Sequence, residues 1–553
     1  MIKKLSGTVA VSLGILTSRL VGLVREVVVR GNYGSTPVGD GYAAALRIPN
    51  LLQNLLGEGV LSASFIPVYS EMVDNDPRRA GRLASTMFVF LTVVSLPLVL
   101  ILVVFAGPIT ELFLFGNQNT ETIETATVLT RIMAPGVGVL VLSAWSLGVL
   151  NSHRRFFLPY AAPVVWSLAQ IAVVFGPEYD TLRTLAIRVA WAATIGAVLQ
   201  FTIQLPAIRS SNPHIGLRID FGDSAFGDVL RRMGSVIVGR GSAQLSAFVD
   251  LMLAGFLAFG ALTALGTAQV FYLLPISLFA MSVAAAELPE LSRMGSDLDS
   301  VADRLAAGLQ TIAFFMVFTT LAFVLAGRRI LGAVFSLVPR NGFDQDGLIL
   351  VALVLGSYSL GLLAIGSSRL VQNTFYALGD ASTPAQVAIV RYGISALVGF
   401  VLMLQFDRLF IYDGVVTGLN QLLSPLEALP SELRSREDLP LRLGAVGLAL
   451  GAAAGGWFEF FALRDRLLPV LGTSSLTMGR WRPLVLPSLA STLWMLVSLP
   501  LTSGWHDITS TIVVVGVGGC LYVAISAHNR VAAARIVVDR LKRSPGTSVD
   551  MSR

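Results

Sequence analysis

Apolar runs of about 20 residues recur from the first residues of the chain to about residue 527, and each is long enough as a helix to cross roughly 30 Å of hydrocarbon. Inside a bilayer every backbone N–H and C=O must be paired within the protein, which helices do segment by segment. The sequence is 54% hydrophobic and 13% charged, with a mean hydropathy of +0.73. Soluble domains carry about 25% charged residues. The expected fold is therefore an all-α polytopic membrane protein. Fourteen spans are read at 6–31, 41–71, 84–112, 122–150, 158–176, 183–207, 227–258, 262–291, 304–326, 347–377, 384–404, 443–464, 483–502 and 509–527. The first apolar segment runs on from MIKK through Arg19 and Arg25 without a small-residue cleavage site, so a retained first helix is expected.

The net charge of +6 and pI near 9.6 do not point to nucleic acid, because the basic residues fall in short loops between spans. The single cysteine, Cys520, excludes an intrachain disulfide, and the four histidines have no ligand-like spacing. A metalloenzyme is not expected, and no cofactor is.

An even number of spans puts both termini on one side. Lys3, Lys4, Arg78, Arg79, Arg82, Arg154, Arg155 and the Arg/Lys-rich tail mark that side as cytoplasmic. Arg328, Arg329, Arg340, Arg408, Arg434, Arg436 and Arg442 run against this bias. The outer loop 405–442 is the longest connection, and its S-P-L-E and P-S-E-L starts suggest short capped helices. A weak repeat, SFIPVYSEM echoed by AELPELSRM and LNSHRRFFLPYAAPVVWS by FYALGDASTPAQVAIVRY, suggests two copies of a six-helix unit. The expected division is an N-lobe over 1–210, a C-lobe over 211–470, two extra helices over 471–530 and a basic tail over 531–553.

Ionisable residues inside spans cost about 2.5–3.5 kcal/mol each on insertion scales and usually face a bundle interior or a wet cavity. Residues 17–71 hold the densest set. Arg19 lies too far from the cytoplasmic end to snorkel back to it, and Glu26, seven positions on, shares its helical face. Arg25 and Glu26 read either as cavity residues or as an outer-interface group with Arg30. Asp40 opens the second span, where capping its own helix is a sufficient role. Arg47 follows two turns inward, Pro49 is expected to bend that helix, and Glu58 is a further charge to be accounted for. In the seventh span Arg240 stands between two glycines as a candidate anion contact. Asp250, in the same span, is a candidate for an ion or proton step or for an inter-helix salt bridge. In the tenth span Arg369, Gln372 and Asn373 form a polar patch. Several arginines without a matching excess of buried carboxylates call for an anionic ligand, and guanidinium suits phosphate or pyrophosphate. No Walker A pattern is present, so an ion gradient, the membrane potential or downhill flow would have to supply the energy.

SRLVGLVREVVV and GDGYAAALRIPNLLQNLLGEGVLSASFIPVYSE resemble the opening signature of the MurJ/MviN family of lipid II flippases, in the multidrug/oligosaccharidyl-lipid/polysaccharide exporter superfamily. The likeness runs on through LNSHRRFFLPYAAP, the QLP at 204–206, LPELSR and FYALGDASTPAQVAIV, to about residue 400. The resemblance implies two six-helix lobes around a central cavity, and two C-terminal helices forming a lipid-facing groove. It further implies alternating access that moves undecaprenyl-pyrophosphate-linked peptidoglycan precursor outward in the bacterial cytoplasmic membrane. Arg19 and Arg25 match the family's first-helix arginines and Asp40 its acidic residue opening helix two, while Arg369 matches a basic position loosely. The substrate-cavity set expected is Arg19, Arg25, Asp40, Arg47, Arg240 and Arg369, with Glu26, Glu58 and Asp250 as gating or ion-coupling candidates.

The chain departs from the family where Gln53 and Asn54 replace a basic pair. It departs again in VFYLLP, where Val270 and Leu273 replace an arginine and an acidic residue; Arg240 is the candidate replacement for one lost charge. The partners implied are the lipid-linked anion, membrane lipids and a coupling ion left open, with the chain acting as a monomer. Alternatives are an ion-coupled exporter of another lipid-linked oligosaccharide or drug, and a scaffold that has lost transport.

Overall fold

The computed structural model describes residues 7–542 apart from 118, 217–218, 295–296, 422–424, 426–427, 437 and 473–477, with backbone alone at 7–12, 51–52, 238–248, 431, 435, 478–480 and 541–542. Two compact units divide the chain. The first comprises Met1–Thr263, Val338–Asp344 and Leu429–Pro440, and the second Ala264–Leu337, Gln345–Ala428 and Leu441–Arg553.

The first unit contains α1 (Gly7–Tyr33), α2 (Pro37–Leu56), α3 (Glu58–Asn75), α4 (Pro77–Val104), α5 (Ala106–Phe113), α6 (Thr120–Ser152), α7 (Phe157–Ala161), α8 (Pro163–Val174), α9 (Leu182–Thr202), α10 (Leu205–Ser211) and α11 (Ser224–Gly255). Local signals fix where they start. Thr36 caps α2, its side chain accepting from Gly39 N, with Pro37 in the first turn. Asp76 caps α4 ahead of Pro77 in the same way, accepting from Arg78 N and Arg79 N. The helices pack on two apolar clusters, one around Phe65, Met87, Leu91 and Trp145 and one around Tyr33, Tyr42, Leu129 and Val189. Trp145 Nε1 donates to the Ala84 carbonyl at 3.0 Å, so the indole is buried without an unpaired donor. The segment 338–344 joins this unit through Gly342 N, which donates to Gly31 O at 2.7 Å.

The chain leaves the first unit along α12 (Ala261–Pro275). The second unit holds a π-helical turn at Ile276–Ala280, α13 (Met281–Met294), α14 (Leu298–Phe335), α15 (Gln345–Ser359), α16 (Leu362–Ala377) and α17 (Ser382–Phe406). After a hairpin of β1 (Phe410–Tyr412) and β2 (Val415–Thr417), α18 (Ser431–Ser435) lies in the segment belonging to the first unit. The second unit ends with α19 (Gly444–Leu471), α20 (Val485–Leu501), α21 (Asp507–Thr511), α22 (Gly518–His528) and α23 (Ala532–Lys542). Its closest helix packing is between α17 and α19. A Cβ on Gly451 would run into the backbone of Gly399, so the glycines let the two helix backbones touch. The trailing helices are tied to α14: Tyr522 Oη donates to Phe314 O at 2.9 Å and Arg329 pairs with Asp507 at 2.9 Å.

The all-α polytopic fold is as expected. Among the described residues 12 helices are long and apolar enough to cross a membrane. The other two expected spans, the first and the seventh, are helical over 27 and 32 residues as α1 and α11, and they are the ones most interrupted by charge. The first unit runs through α11 to Thr263, beyond position 210, and α20 to α22 belong to the second unit.

Pro49 lies inside α2, and the second span is interrupted further on, at Gly57, where a Cβ would overlap the Gln53 carbonyl oxygen. Two local readings are corrected. Asp40 does not cap α2, because Thr36 does. Within loop 405–442 the PSEL start gives the five-residue α18, most of SPLE lies outside the described residues, and the hairpin is the element that was not expected. Asp413 and Gly414 turn it with φ of 49° and 77°, the left-handed pair that a two-residue hairpin favours.

Candidate functional site

The break at Gly57 creates the polar cavity of the first unit. Gly57 N donates back to Gln53 O at 2.7 Å and closes α2, and the chain then restarts as α3 at Glu58. The last turn of α2 and the first turn of α3 thereby face one space. Interrupted helices persist at membrane depth where the loose backbone is buried in protein or lines a wet cavity, and a half-helix N-terminus presents a positive dipole end there. A cavity of about 290 Å³ is lined by Ser18, Arg19, Gln53, Glu58, Ser143, Tyr160 and Gln200 among others. A second, of about 630 Å³, shares Gln53 and Glu58 and adds Asn54, Gly59, Ser62 and Ala63.

The far wall is built from α6 and α9. Ser143 Oγ accepts from Gln200 Nε2 at 3.0 Å and from Gln204 Nε2 at 2.8 Å, which orients both amides. Asn151 Nδ2 donates to Tyr160 Oη at 3.2 Å.

Along α1 the charges separate into two groups. Arg19 is exposed to the cavity and, among the described residues, forms no ion pair. Arg25 and Arg30 are both buried and share Glu26, with Arg30 Nε 2.6 Å from Glu26 Oε2. Arg25 also stacks over the Trp166 ring, 4.2 Å from its centroid. Glu26 thus turns to its neighbour and to the residue one turn on, which are closer than Arg19 two turns away. The Nε and Nη1 atoms of Arg25 remain without a protein partner.

Asp40 is 1% exposed and works at a distance in sequence. Its carboxylate accepts from Gly260 N at 2.6 Å, Thr263 N at 2.7 Å and Thr263 Oγ1 at 2.8 Å. These are the free donors at the start of α12, so Asp40 supplies an N-cap to that helix from another part of the chain. Arg47 is half-buried on α2, and Asp250 is exposed on α11. The side chain of Arg240 lies outside the described residues.

In the second unit Arg369 leads into a polar chain. Its Nη1 donates to Gln372 Oε1 at 3.3 Å, Gln372 Nε2 donates to Glu459 Oε1 at 2.8 Å, and Arg391 Nη1 donates to Glu459 Oε2 at 2.7 Å. Arg391 and Glu459 were not singled out from the sequence. The signal was one charge in each of the apolar runs AIVRYGIS and GGWFEFFAL. Asp380, in the loop between α16 and α17, accepts from Thr383 and Ser382, which hold its carboxyl down at about 2. An apolar groove of about 700 Å³ runs between Phe279, Phe315, Phe318, Gly519, Tyr522 and Val538. Among the described residues no group of three or more His, Cys, Asp or Glu could hold a metal ion.

A multi-span helical bundle with a polar cavity at an interrupted helix has the architecture of a membrane transporter. Over 97% of this chain and 100% of the other, the fold matches a solved "Lipid II flippase MurJ, inward closed conformation" with a TM-score of 0.72 at 21% identity. It also matches an inward-facing multidrug resistance MATE family transporter of the MOP superfamily, with a TM-score of 0.60 at 15% identity over 85% of this chain and 100% of the other. The family model described as "Lipid II flippase MurJ" matches residues 32–412, and the chain belongs to that family. A relative from Burkholderia cenocepacia, "Lipid II flippase MurJ", is 29% identical over 459 residues, 81% of this chain and 84% of its own length.

Proposed function

We propose that the chain is a flippase that carries lipid II, the undecaprenyl-pyrophosphate-linked peptidoglycan precursor, across the bacterial cytoplasmic membrane by alternating access, with both termini cytoplasmic. It does so as a transporter, without a catalytic step of its own. Membership of the lipid II flippase family supports the substrate. The observation that carries the mechanism is the exposure of Arg19 on a cavity lined by Ser, Tyr and Gln side chains together with Glu58, with the N-terminus of α3 opening beside it. Guanidinium and helix dipole both favour a phosphate-bearing headgroup. Gln53 and Asn54 offer amides where relatives carry charge, so they hydrogen-bond the headgroup while Arg19 supplies the local positive charge.

Arg25, held by Glu26 and Trp166, sets the shape of the wall. Asp40 acts by positioning α12. Arg47, Arg240 and Arg369 are further substrate-binding candidates, and Glu58 and Asp250 serve gating. The phenylalanine-lined groove of the second unit suits a polyprenyl tail. Depletion in cells tests the reading: accumulation of lipid-linked precursor followed by lysis is expected, and an unaltered envelope with no accumulation contradicts it.

A further inference from the structure

An ion-coupled carrier needs a group inside the membrane that takes up and releases the coupling ion, and a buried carboxylate is the usual candidate. Glu459 is the most buried carboxylate among the described residues of the second unit, with its side chain 2% exposed. Both of its oxygens are engaged, Oε1 by the Gln372 amide and Oε2 by the guanidinium of Arg391. The groups named around it lie on four elements. Arg391 lies on α17, Gln372 and Arg369 on α16, Tyr358 on α15, and Tyr272 on α12 beside Arg391, Arg369 and Glu459.

We propose that Arg391 is a tethered counter-ion occupying the position a coupling cation would take at Glu459, so that transport draws on no sodium or proton exchange at this carboxylate. Arg391 and Glu459 are positioning residues in this account. They hold α17 on α19 and complete the second unit electrostatically without a diffusible ion. A guanidinium cannot lose its proton at physiological pH, and removing one partner of a buried pair leaves the other strongly destabilised, so the pair stays closed in ordinary ionic conditions. The inference rests on the chain being a transporter, but its consequence for ion binding can be read without transport.

The experiment uses the purified full chain in three forms: wild type, Arg391→Ala and Glu459→Gln. Thermal unfolding is followed in sodium chloride and in choline chloride at equal ionic strength, each at two pH values, alongside translocation of lipid-linked precursor in vesicles. Wild type and Glu459→Gln are expected to show the same melting temperature in both salts. Arg391→Ala exposes an uncompensated carboxylate and is expected to gain at least about 2 °C in sodium over choline or, if a proton is what it takes, on acidification. Adding Glu459→Gln to Arg391→Ala is expected to abolish that gain, a rescue that a purely structural role of Arg391 does not produce. Arg391→Ala that folds with no sodium or proton dependence overturns the proposal. Should Arg391→Ala not fold, the wild-type and Glu459→Gln pair decides: sodium- or pH-driven transport in wild type that vanishes in Glu459→Gln overturns it, and equal ion dependence in the two supports it. Failure of wild-type translocation in every condition tells against the flippase reading and leaves the melting comparison standing.

Discussion

The carboxylate of Asp40 receives the backbone N–H of Thr263 at 2.7 Å, linking positions 223 residues apart in sequence. Together with its bonds to Gly260 N and Thr263 Oγ1, this makes Asp40 the cap of α12. Asp40→Ala leaves two backbone donors and a hydroxyl without their acceptor. It is expected to lower stability by about 1–3 kcal/mol and to loosen the first turn of α12. Hydrogen exchange at Thr263 together with thermal unfolding checks this. Unaltered protection there would show that the cap is dispensable.

Gly451 meets the backbone of Gly399 so closely that any side chain displaces one helix. Gly451→Val is expected to separate α17 from α19 and cost about 1–3 kcal/mol or more. Gly393→Ala on α17, with nothing within 4 Å of an added Cβ, serves as the neutral control. Melting temperatures of the two variants side by side measure the difference.

His153, just after α6, has its imidazole 3.1 Å from Tyr69 Oη. Burial, and secondarily the charge of Arg155, lower its pKa below the ordinary 6.5. The unfolded chain then binds a proton at higher pH than the folded one. Stability from this group is therefore complete above about pH 6.5 and is lost as pH falls from there through the lowered folded value. His153→Gln is expected to flatten that part of a stability–pH curve, measured by thermal unfolding between pH 5 and pH 8, ~1.5 units either side of the reference value. A curve of unchanged slope would contradict the assignment.

Arg329 pairs with Asp507 at 2.9 Å and donates to Ser503 O at 3.2 Å, and Arg328 is 3.9 Å from the same carboxylate. Two of the arginines that run against the positive-inside bias are thus accounted for by docking the trailing helices on α14. Arg329→Ala is expected to expose a protease site near residues 503–507 and cost about 1–3 kcal/mol, with little change when Arg328 is replaced. Limited proteolysis of the two variants distinguishes them.

The helical membrane fold was legible because apolar length is a one-dimensional property, and residues 17–71 were legible because charge in such runs is costly. What local sequence could not show was direction. Asp40 at the start of an apolar run reads as a cap for its own helix, and nothing near it in sequence points to Gly260 and Thr263. The Gly57 break was hidden behind Pro49, since proline is the louder signal while the glycine is needed for a close approach to Gln53. The Asp413–Gly414 pair is the sequence mark of a two-residue hairpin turn, but the flanking FIY and VVT are three residues each and too short to show a strand period. Arg391 and Glu459 each looked like a single interruption, and only folding shows that they answer one another.

The central claim is that Arg19 acts on substrate while Arg25 acts on structure. Arg19 is exposed in its cavity, so Arg19→Ala is expected to leave stability within about 0.5 kcal/mol of wild type. Arg25→Ala breaks a buried pair with Glu26 and is expected to destabilise by about 3–5 kcal/mol. The decisive measurement is translocation of purified lipid-linked precursor in vesicles by wild type and by folded Arg19→Ala. Loss of at least about tenfold in the variant, equivalent to about 1.4 kcal/mol, is expected. Transport by Arg19→Ala at the wild-type rate would contradict the account.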